Sequence, residues 1–165
     1  MNKKRTAGDT AKKALRLILA AIILAAGVNL VHPRHILWVE DWSNQVEAQA
    51  VEEGIPLVQL SGVIDILRDG SRMLIDARPF NEYLRGHIPG AISVPFELVA
   101  ENGTIPVELL RAGRGLVFYC SGPECDDSLL LAIAVREIGR DDVAVFVGGM
   151  ELWESELLAV EEGGE

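Results

Sequence analysis

From Ile36 onward the sequence contains no lysine, and eight arginines stand against 24 aspartates and glutamates. A body with this excess of negative charge repels the phosphate backbone of nucleic acids and anionic lipid surfaces. Nucleic-acid binding is therefore excluded. The sequence also lacks internal repeats and low-complexity tracts. Its 165 residues, 49% of them hydrophobic, suffice for one α/β domain with an appendage.

Cysteine is scarce as well: the sequence has two, Cys120 and Cys125. No cysteine stands directly after the apolar N-terminal stretch, so a lipid-modified N-terminus is not expected. No spacing of the cysteines with His87 resembles a set of metal ligands. We therefore predict neither a metal site nor a cofactor.

The one long apolar run is Ala14 to Val31, eighteen residues with a single charge near its start. It is just long enough to cross a bilayer core, and five of the seven basic residues that come before Ile36 precede it. We expect a transmembrane anchor at 14–31, with the acidic body on the periplasmic side of a bacterial inner membrane. Two alternatives remain open. Leu17 to Ala26 could belong to a cleaved signal peptide, or the run could be a buried core helix.

The predicted organisation has five segments. They are a basic cytoplasmic tail (1–13), the anchor (14–31), a connector (32–54), a folded domain (55–160) and an acidic tail (161–165). In the connector, Trp38 and Trp42 could lie at the bilayer interface or pack against the domain. Asp41 or Ser43 could cap a short helix that runs through Val51.

Strand and helix patterns alternate regularly after Ile55. Predicted strands are Leu57 to Leu60, Met73 to Asp76, Ala91 to Val94, Gly115 to Tyr119 and Val143 to Val147. Predicted helices are Ser61 to Arg68, Phe80 to Arg85, Pro106 to Arg111, Ser128 to Ile138 and Glu151 to Val160. This alternation predicts an α/β fold whose mostly parallel sheet is covered by helices on both faces.

Cys120 stands at the junction between a buried strand and the loop before an apolar helix. Open α/β sheets bind their ligands at the carboxyl ends of strands, and a helix N-terminus favours a thiolate over a thiol. The backbone N–H groups of such a loop can converge into an anion-binding nest, and Gly122 would let the loop curl. We therefore take Cys120 as the candidate nucleophile.

Two stretches resemble the signatures of rhodanese-like domains. The first runs from Asp76-Ala77-Arg78 through Glu82-Tyr83 to Gly86-His87-Ile88-Pro89-Gly90-Ala91, and the second is Val147-Gly148-Gly149-Met150-x-x-Trp153. Cys120 stands where this family has its active-site cysteine. The resemblance spans about Leu57 to Leu158.

The resemblance implies a rhodanese fold and a cysteine that accepts sulfane sulfur as a persulfide. Cys120 would be catalytic and would attack the outer sulfur of thiosulfate, a polysulfide or a persulfide, then pass that sulfur to a thiol acceptor. Residues expected to bind the donor are Ser121, Gly122, Glu124, Cys125, Asp126 and Arg78. For Arg78 an ion pair with Asp76 is an equally good reading.

The loop departs from the family's usual pattern because it carries Glu124, Asp126 and Asp127. Three carboxylates raise the pKa of a nearby thiol and repel thiosulfate, which favours a polysulfide, a persulfide or a protein donor. Capping of the following helix by Asp126 or Asp127 is the structural alternative.

Cys125 has three readings. It could act as a resolving thiol, form a disulfide that blocks Cys120, or be a small buried loop residue.

Three functions therefore compete. The first is a membrane-anchored sulfurtransferase or sulfane-sulfur carrier. The second is a non-catalytic binding or sensing module, or a Cys120/Cys125 thiol-disulfide protein. The third, a phosphatase or arsenate reductase, has little support: an arginine must close such a loop around a tetrahedral dianion, and none occurs between Cys120 and Arg136.

Overall fold

The computed structural model describes residues 7–31 and 44–163. It contains two compact units, Met1–Glu40 and Asp41–Glu165. Trp38, Trp42 and the proposed caps Asp41 and Ser43 lie outside the described residues, so those predictions stay open.

The first unit contains one helix, α1 (Ala7–Val31). Its segment Thr10–Val31 is long and apolar enough to cross a membrane. The helix starts earlier than the predicted anchor, so residues 7–13 of the predicted basic tail are helical. A signal sequence passes the same test of length and composition, and the anchor therefore stays a prediction.

A four-stranded sheet forms the centre of the second unit. Its strands are β1 (Arg72–Asp76), β2 (Ile92–Ser93), β3 (Gly115–Tyr119) and β4 (Val143–Phe146), in the order β2-β1-β3-β4. Every pairing among them is parallel. β3 lies between β1 and β4 and all five of its residues are buried, as the continuous apolar run predicts for an inner parallel strand.

Seven helices of the described chain surround this sheet. They are α2 (Gln45–Glu52), α3 (Leu60–Asp69), α4 (Phe80–Arg85), α5 (Phe96–Asn102), α6 (Val107–Arg111), α7 (Asp127–Glu137) and α8 (Gly149–Ser155).

Alternate strand residues point to opposite faces of the sheet and join two different cores. Phe118 and Val145 belong to a core with Leu129 and Leu131 of α7. On the other face, Phe146 belongs to a core with residues of α3 and α8, namely Val63, Ile66, Met150 and Trp153. The predicted α/β fold with helices on both faces is confirmed.

Several predicted boundaries are wrong. The strand expected at Leu57 to Leu60 is a single bridge from Leu57 to Val145, because α3 already begins at Leu60 with Gln59, not Ser61, at its N-cap. The closing helix ends at Ser155. Leu157 then takes a left-handed conformation (φ 54°) and is 92% exposed, so it does not share the buried face of Trp153.

Helix α5 was not predicted from the sequence. It begins after Pro95, and its C-cap residue, Gly103, has a left-handed conformation (φ 62°). Proline before the first turn and glycine after the last are ordinary helix boundary signals. These two residues could have revealed the helix.

The predicted acidic tail is not free at its start. Glu161 exchanges two backbone hydrogen bonds with His87, and its side chain accepts a third from the N–H of Gly90 at 3.0 Å. The segment after α8 therefore closes over the loop of residues 86–90. Gly90, the last residue of that loop, lies 71 positions before Glu161 in the sequence. Residues 164–165 lie outside the described part.

Candidate active site

Cys120 follows the central strand β3 and opens the loop that leads to α7. The side chain is 1% exposed and belongs to the same core as Phe118 and Leu129. Within the loop, the N–H of Cys125 donates to the carbonyl of Gly122 at 3.0 Å, which closes a tight turn. The predicted placement of Cys120 at the carboxyl end of a buried parallel strand is therefore what the structure has.

The start of α8 holds the first half of this loop. The N–H of Met150 donates to the carbonyl of Cys120 at 2.9 Å, and the N–H of Glu151 donates to that of Ser121 at 2.8 Å. Gly149 makes this approach possible, because its φ is +56° and a Cβ there would lie 2.9 Å from the backbone nitrogen of Gly122.

Gly122 lies against a side chain of α8, a contact that the sequence did not reveal. Its φ is not in the left-handed region, so the residue does not supply an unusual turn. A Cβ at this position would instead meet the Oε2 atom of Glu151 at 2.6 Å. Gly122 therefore makes room for a carboxylate beside the loop, and the predicted role in curling the loop is not the one observed.

The sulfurs of Cys120 and Cys125 are joined in a disulfide, with the two Cα atoms 6.3 Å apart. This separation lies within the range that disulfides accept. The sulfur of Cys120 lies 3.0 Å from the carbonyl oxygen of Cys125 and 3.9 Å from that of Gly122. In this oxidised form carbonyl oxygens approach the sulfur, and the predicted nest of N–H groups stays a prediction for the reduced loop.

Carboxylates surround the second half of the loop. The Oδ2 atom of Asp127 lies 3.7 Å from the sulfur of Cys125. Partial burial raises the pKa of Asp127, and the negative charges of Asp126, Glu97 and Glu82 raise that pKa further. The region beside Cys125 therefore has a negative potential, as the sequence predicts.

Helix capping does not account for Asp126. Asp126 occupies the N-cap position of α7, but its backbone is helical (φ −91°, ψ −6°) and its side chain makes no capping hydrogen bond. Asp127 is already the first residue of the helix, with its carboxylate near Cys125. The capping interpretation is therefore wrong for Asp126.

Arg78 lies at the end of β1, the strand beside β3, and forms a buried ion pair. Its Nη2 atom donates to Oδ2 of Asp76 at 2.6 Å and to the carbonyl of Gly86 at 2.7 Å, and Nε donates to Asp76 as well. Asp76 is fully buried and Arg78 is 6% exposed. Burial lowers the pKa of Arg78, but the hydrogen bond and the charge of Asp76 outweigh it and the pKa is raised. This geometry favours the structural reading of Arg78.

The loop of residues 86–90 is tied to the end of β3. The N–H of Ile88 donates to the hydroxyl of Tyr119 at 3.1 Å, and the ring of His87 stacks on that of Tyr83 with centroids 3.7 Å apart. His87 is 2% exposed, and its Nδ1 atom lies 3.0 Å from the carbonyl oxygen of Tyr83. These contacts give His87 a packing role between the loop and α4.

Helix α2 lies beside the loop, although the sequence placed this segment in a connector. Val46 and Ala50, one helical turn apart, are buried in the core that contains Cys120. Glu124 and Asp126 line a hollow of about 330 Å³ together with Gln45, Val46 and Gln49. The 3.6-residue spacing of Val46 and Ala50 was the signal for this contact.

Sequence reasoning also missed three carboxylates around the loop. Glu82 Oε2 lies 3.5 Å from the hydroxyl of Ser121, Glu151 lies against Gly122, and Glu97 acts on Asp127. They come from α4, α8 and α5, so only the folded chain brings them together.

A family model for the rhodanese-like domain matches residues 61–156. An HTH-type transcriptional regulator of Mycobacterium tuberculosis is 37% identical over 97 residues, which are 57% of this chain and 39% of the regulator. The chain thus spans about two fifths of the length of this curated relative.

Solved structures give the same fold. A thiosulfate sulfurtransferase from Pseudomonas aeruginosa is 26% identical, with a TM-score of 0.56 over 74% of this chain and 23% of that one. A human single-domain sulfurtransferase is 26% identical, with a TM-score of 0.50 over 62% of this chain and 98% of that one. A Bacillus halodurans protein, 24% identical with a TM-score of 0.58 over 72% of this chain and 85% of its own, shows the fold alone.

Proposed function

The chain belongs to the family of rhodanese-like domains, and from this membership we propose that it is a sulfurtransferase or sulfane-sulfur carrier that forms a persulfide on Cys120. The observation that carries the proposal is the position of Cys120 at the carboxyl end of the buried central strand, within the matched residues. Two of the similar solved structures are named sulfurtransferases.

The proposed reaction needs a reduced Cys120. Its thiolate attacks the outer sulfur of the donor, the donor's S–S bond breaks, and the leaving group departs with the electron pair. The leaving group is sulfite from thiosulfate, or a shorter polysulfide. A thiolate acceptor then attacks the outer sulfur of the persulfide, and Cys120 leaves as a thiolate. Donor contacts are proposed for Ser121, Gly122, Glu124, Cys125 and Asp126.

The charges around the loop indicate which donors are suitable. Asp126, Asp127, Glu82 and Glu97 act together on the region next to Cys125. A compact dianion such as thiosulfate is repelled there, whereas a persulfide carries at most one negative charge and a long polysulfide separates its two charges along the chain. We therefore propose a polysulfide or persulfide as the sulfur donor and a thiol as the acceptor.

We also propose that Thr10–Val31 anchors the chain and that the acidic body lies on the periplasmic side of the membrane. Support comes from the length of this apolar helix and from the basic residues that precede most of it. Intact-mass measurement of the mature protein from a bacterial membrane fraction is the test. Loss of the residues up to the Ala25-Ala26-Gly27 site would contradict the anchor and identify a signal peptide.

The test of the persulfide uses the reduced full-length chain with Cys125→Ser, which cannot form the disulfide. After treatment with polysulfide and alkylation, we expect a gain of about 32 Da on the peptide that contains Cys120. Cys120→Ser is the matched control and is expected to gain no sulfur. Equal labelling of both variants would contradict the proposal.

A non-catalytic binding module is the second candidate. The carboxylates around the loop and the match to a transcriptional regulator favour it. It predicts that Cys125→Ser remains unlabelled with thiosulfate, polysulfide and small-molecule persulfides alike, while keeping the thermal stability of the wild type.

A further inference from the structure

We propose that Cys125 is a resolving thiol that reduces the persulfide on Cys120 and releases its sulfur as sulfide. The chain would then be a sulfane-sulfur reductase as well as a carrier. This inference rests on the proposed function, because its substrate is the Cys120 persulfide.

The geometry of the loop supports the reaction. The structure already joins the two sulfurs, at a Cα separation of 6.3 Å, while the Gly122 to Cys125 turn keeps its backbone hydrogen bond. Cys125 can therefore reach Cys120 without opening that turn. No other cysteine occurs in the sequence, so Cys125 is the one internal thiol that can attack.

The surroundings of Cys125 suit an attacking thiol. Its neighbour Asp127 has an oxygen 3.7 Å from the sulfur and can accept the thiol proton. The charged groups that face Asp127 are Asp126, Glu97 from α5 and Glu82 from α4. All are acids and raise its pKa together with partial burial, which makes Asp127 a stronger base than an ordinary carboxylate.

Exposure divides the roles of the two cysteines. Cys120 is 1% exposed, whereas Cys125 is only partly buried. Cys125 is therefore the more accessible of the two residues to a reductant from solution. This arrangement fits a cycle in which Cys120 receives sulfur and Cys125 receives electrons.

The step is balanced as follows. The thiolate of Cys125 attacks the inner sulfur of the persulfide, a Cys120–Cys125 bond forms, and the bond to the outer sulfur breaks. The outer sulfur leaves with the electron pair as hydrosulfide, so the sulfane sulfur is reduced and the two cysteines are oxidised. A dithiol reductant then restores both thiols by disulfide exchange and is itself oxidised to a disulfide.

The test is a single turnover under anaerobic conditions, with the reduced full-length chain and limiting polysulfide. The reaction is quenched by alkylation, and the peptides and trapped sulfide are measured. Wild type is expected to lose about 2 Da in the chains that form the Cys120–Cys125 disulfide, and to release about one sulfide per sulfur atom transferred to Cys120, above the Cys120→Ser blank. Cys125→Ser is expected to retain the persulfide, and its sulfide burst should be at least about tenfold smaller than that of the wild type.

The outcomes separate the two proposals. If the wild type retains a stable persulfide with Cys125 alkylated, the inference is overturned and the carrier function stands. If Cys125→Ser acquires no sulfur, the proposed function itself fails. Asp127→Asn adds a rate comparison. Loss of this charge lowers the pKa of the Cys125 thiol, but loss of the proton acceptor should still make the burst at neutral pH slower than that of the wild type, and an equal or faster burst would remove Asp127 from the reaction.

Discussion

The neighbouring strands β1 and β3 end at the same edge of the sheet with opposite arrangements. After β1, the carboxylate of Asp76 and the guanidinium of Arg78 are buried and satisfy each other. After β3, the chain places two cysteines beside carboxylates. All the charged groups that act on Asp127 there are acids, so no cation among them neutralises its charge.

This contrast shows that one sheet edge holds both a saturated ion pair and a loop of like charges. A saturated ion pair has little capacity left for a ligand, and its loss leaves a buried charge. A loop of like charges costs stability, but it adjusts the reactivity of the thiols beside it. Arg78, which the sequence offered for donor binding, is therefore better explained by its ion pair with Asp76.

Removing the buried ion pair of Asp76 and Arg78 should have the largest effect on the free energy of unfolding. Asp76→Asn leaves the buried Arg78 charge without its partner, and we expect a loss of about 3–5 kcal/mol in the free energy of unfolding. Asp65→Asn is the control, because Asp65 pairs with Arg68 at 3.3 Å with both side chains exposed. That change should cost less than about 1 kcal/mol. Thermal and urea unfolding of the full-length protein would measure both, and equal losses would contradict the contrast.

The support of the Cys120 loop can be tested through Gly149. Gly149→Ala forces a Cβ into the backbone of Ser121 and Gly122 at a φ of +56°, so we expect a loss of about 2 kcal/mol or more. Gly103→Ala has a similar φ, +62°, and open space around it, and should cost only the conformational part, about 1 kcal/mol. Persulfide labelling of Cys120 should slow in the first variant only. If both variants lost the same stability, the packing of α8 against the loop would not matter.

The smallest effect is expected from the charges around the reactive loop. In a Cys125→Ser background, Asp126→Asn with Asp127→Asn should raise the rate of labelling by thiosulfate on the order of tenfold at low salt. High salt should reduce this gain, and labelling by a neutral organic persulfide should change little. A salt-independent gain would indicate a change in loop conformation instead of repulsion.

The sequence predicted the elements with strong local signals. Gly115 to Tyr119 and Phe80 to Arg85 match β3 and α4 residue for residue, because a buried apolar run and a short helix after Pro79 are local features. The predicted strand Leu57 to Leu60 is wrong, because Leu57 alone forms a bridge with Val145 and α3 begins at Leu60.

The site was predictable to the same extent. Cys120 and the acids of its own loop were visible because they are contiguous in sequence. The contributions of Glu82, Glu97 and Glu151 were not visible, since three separate helices bring them to the loop. The disulfide was one of several readings of Cys125, because spacing alone does not fix the distance between two side chains.

The clasp between Glu161 and the loop of residues 86–90 has a consequence for biosynthesis. During synthesis, the loop of residues 86–90 cannot form these hydrogen bonds until Glu161, 71 residues after Gly90, has been added to the chain. We therefore expect closure over the loop of residues 86–90 to be one of the last steps in the folding of the domain during synthesis.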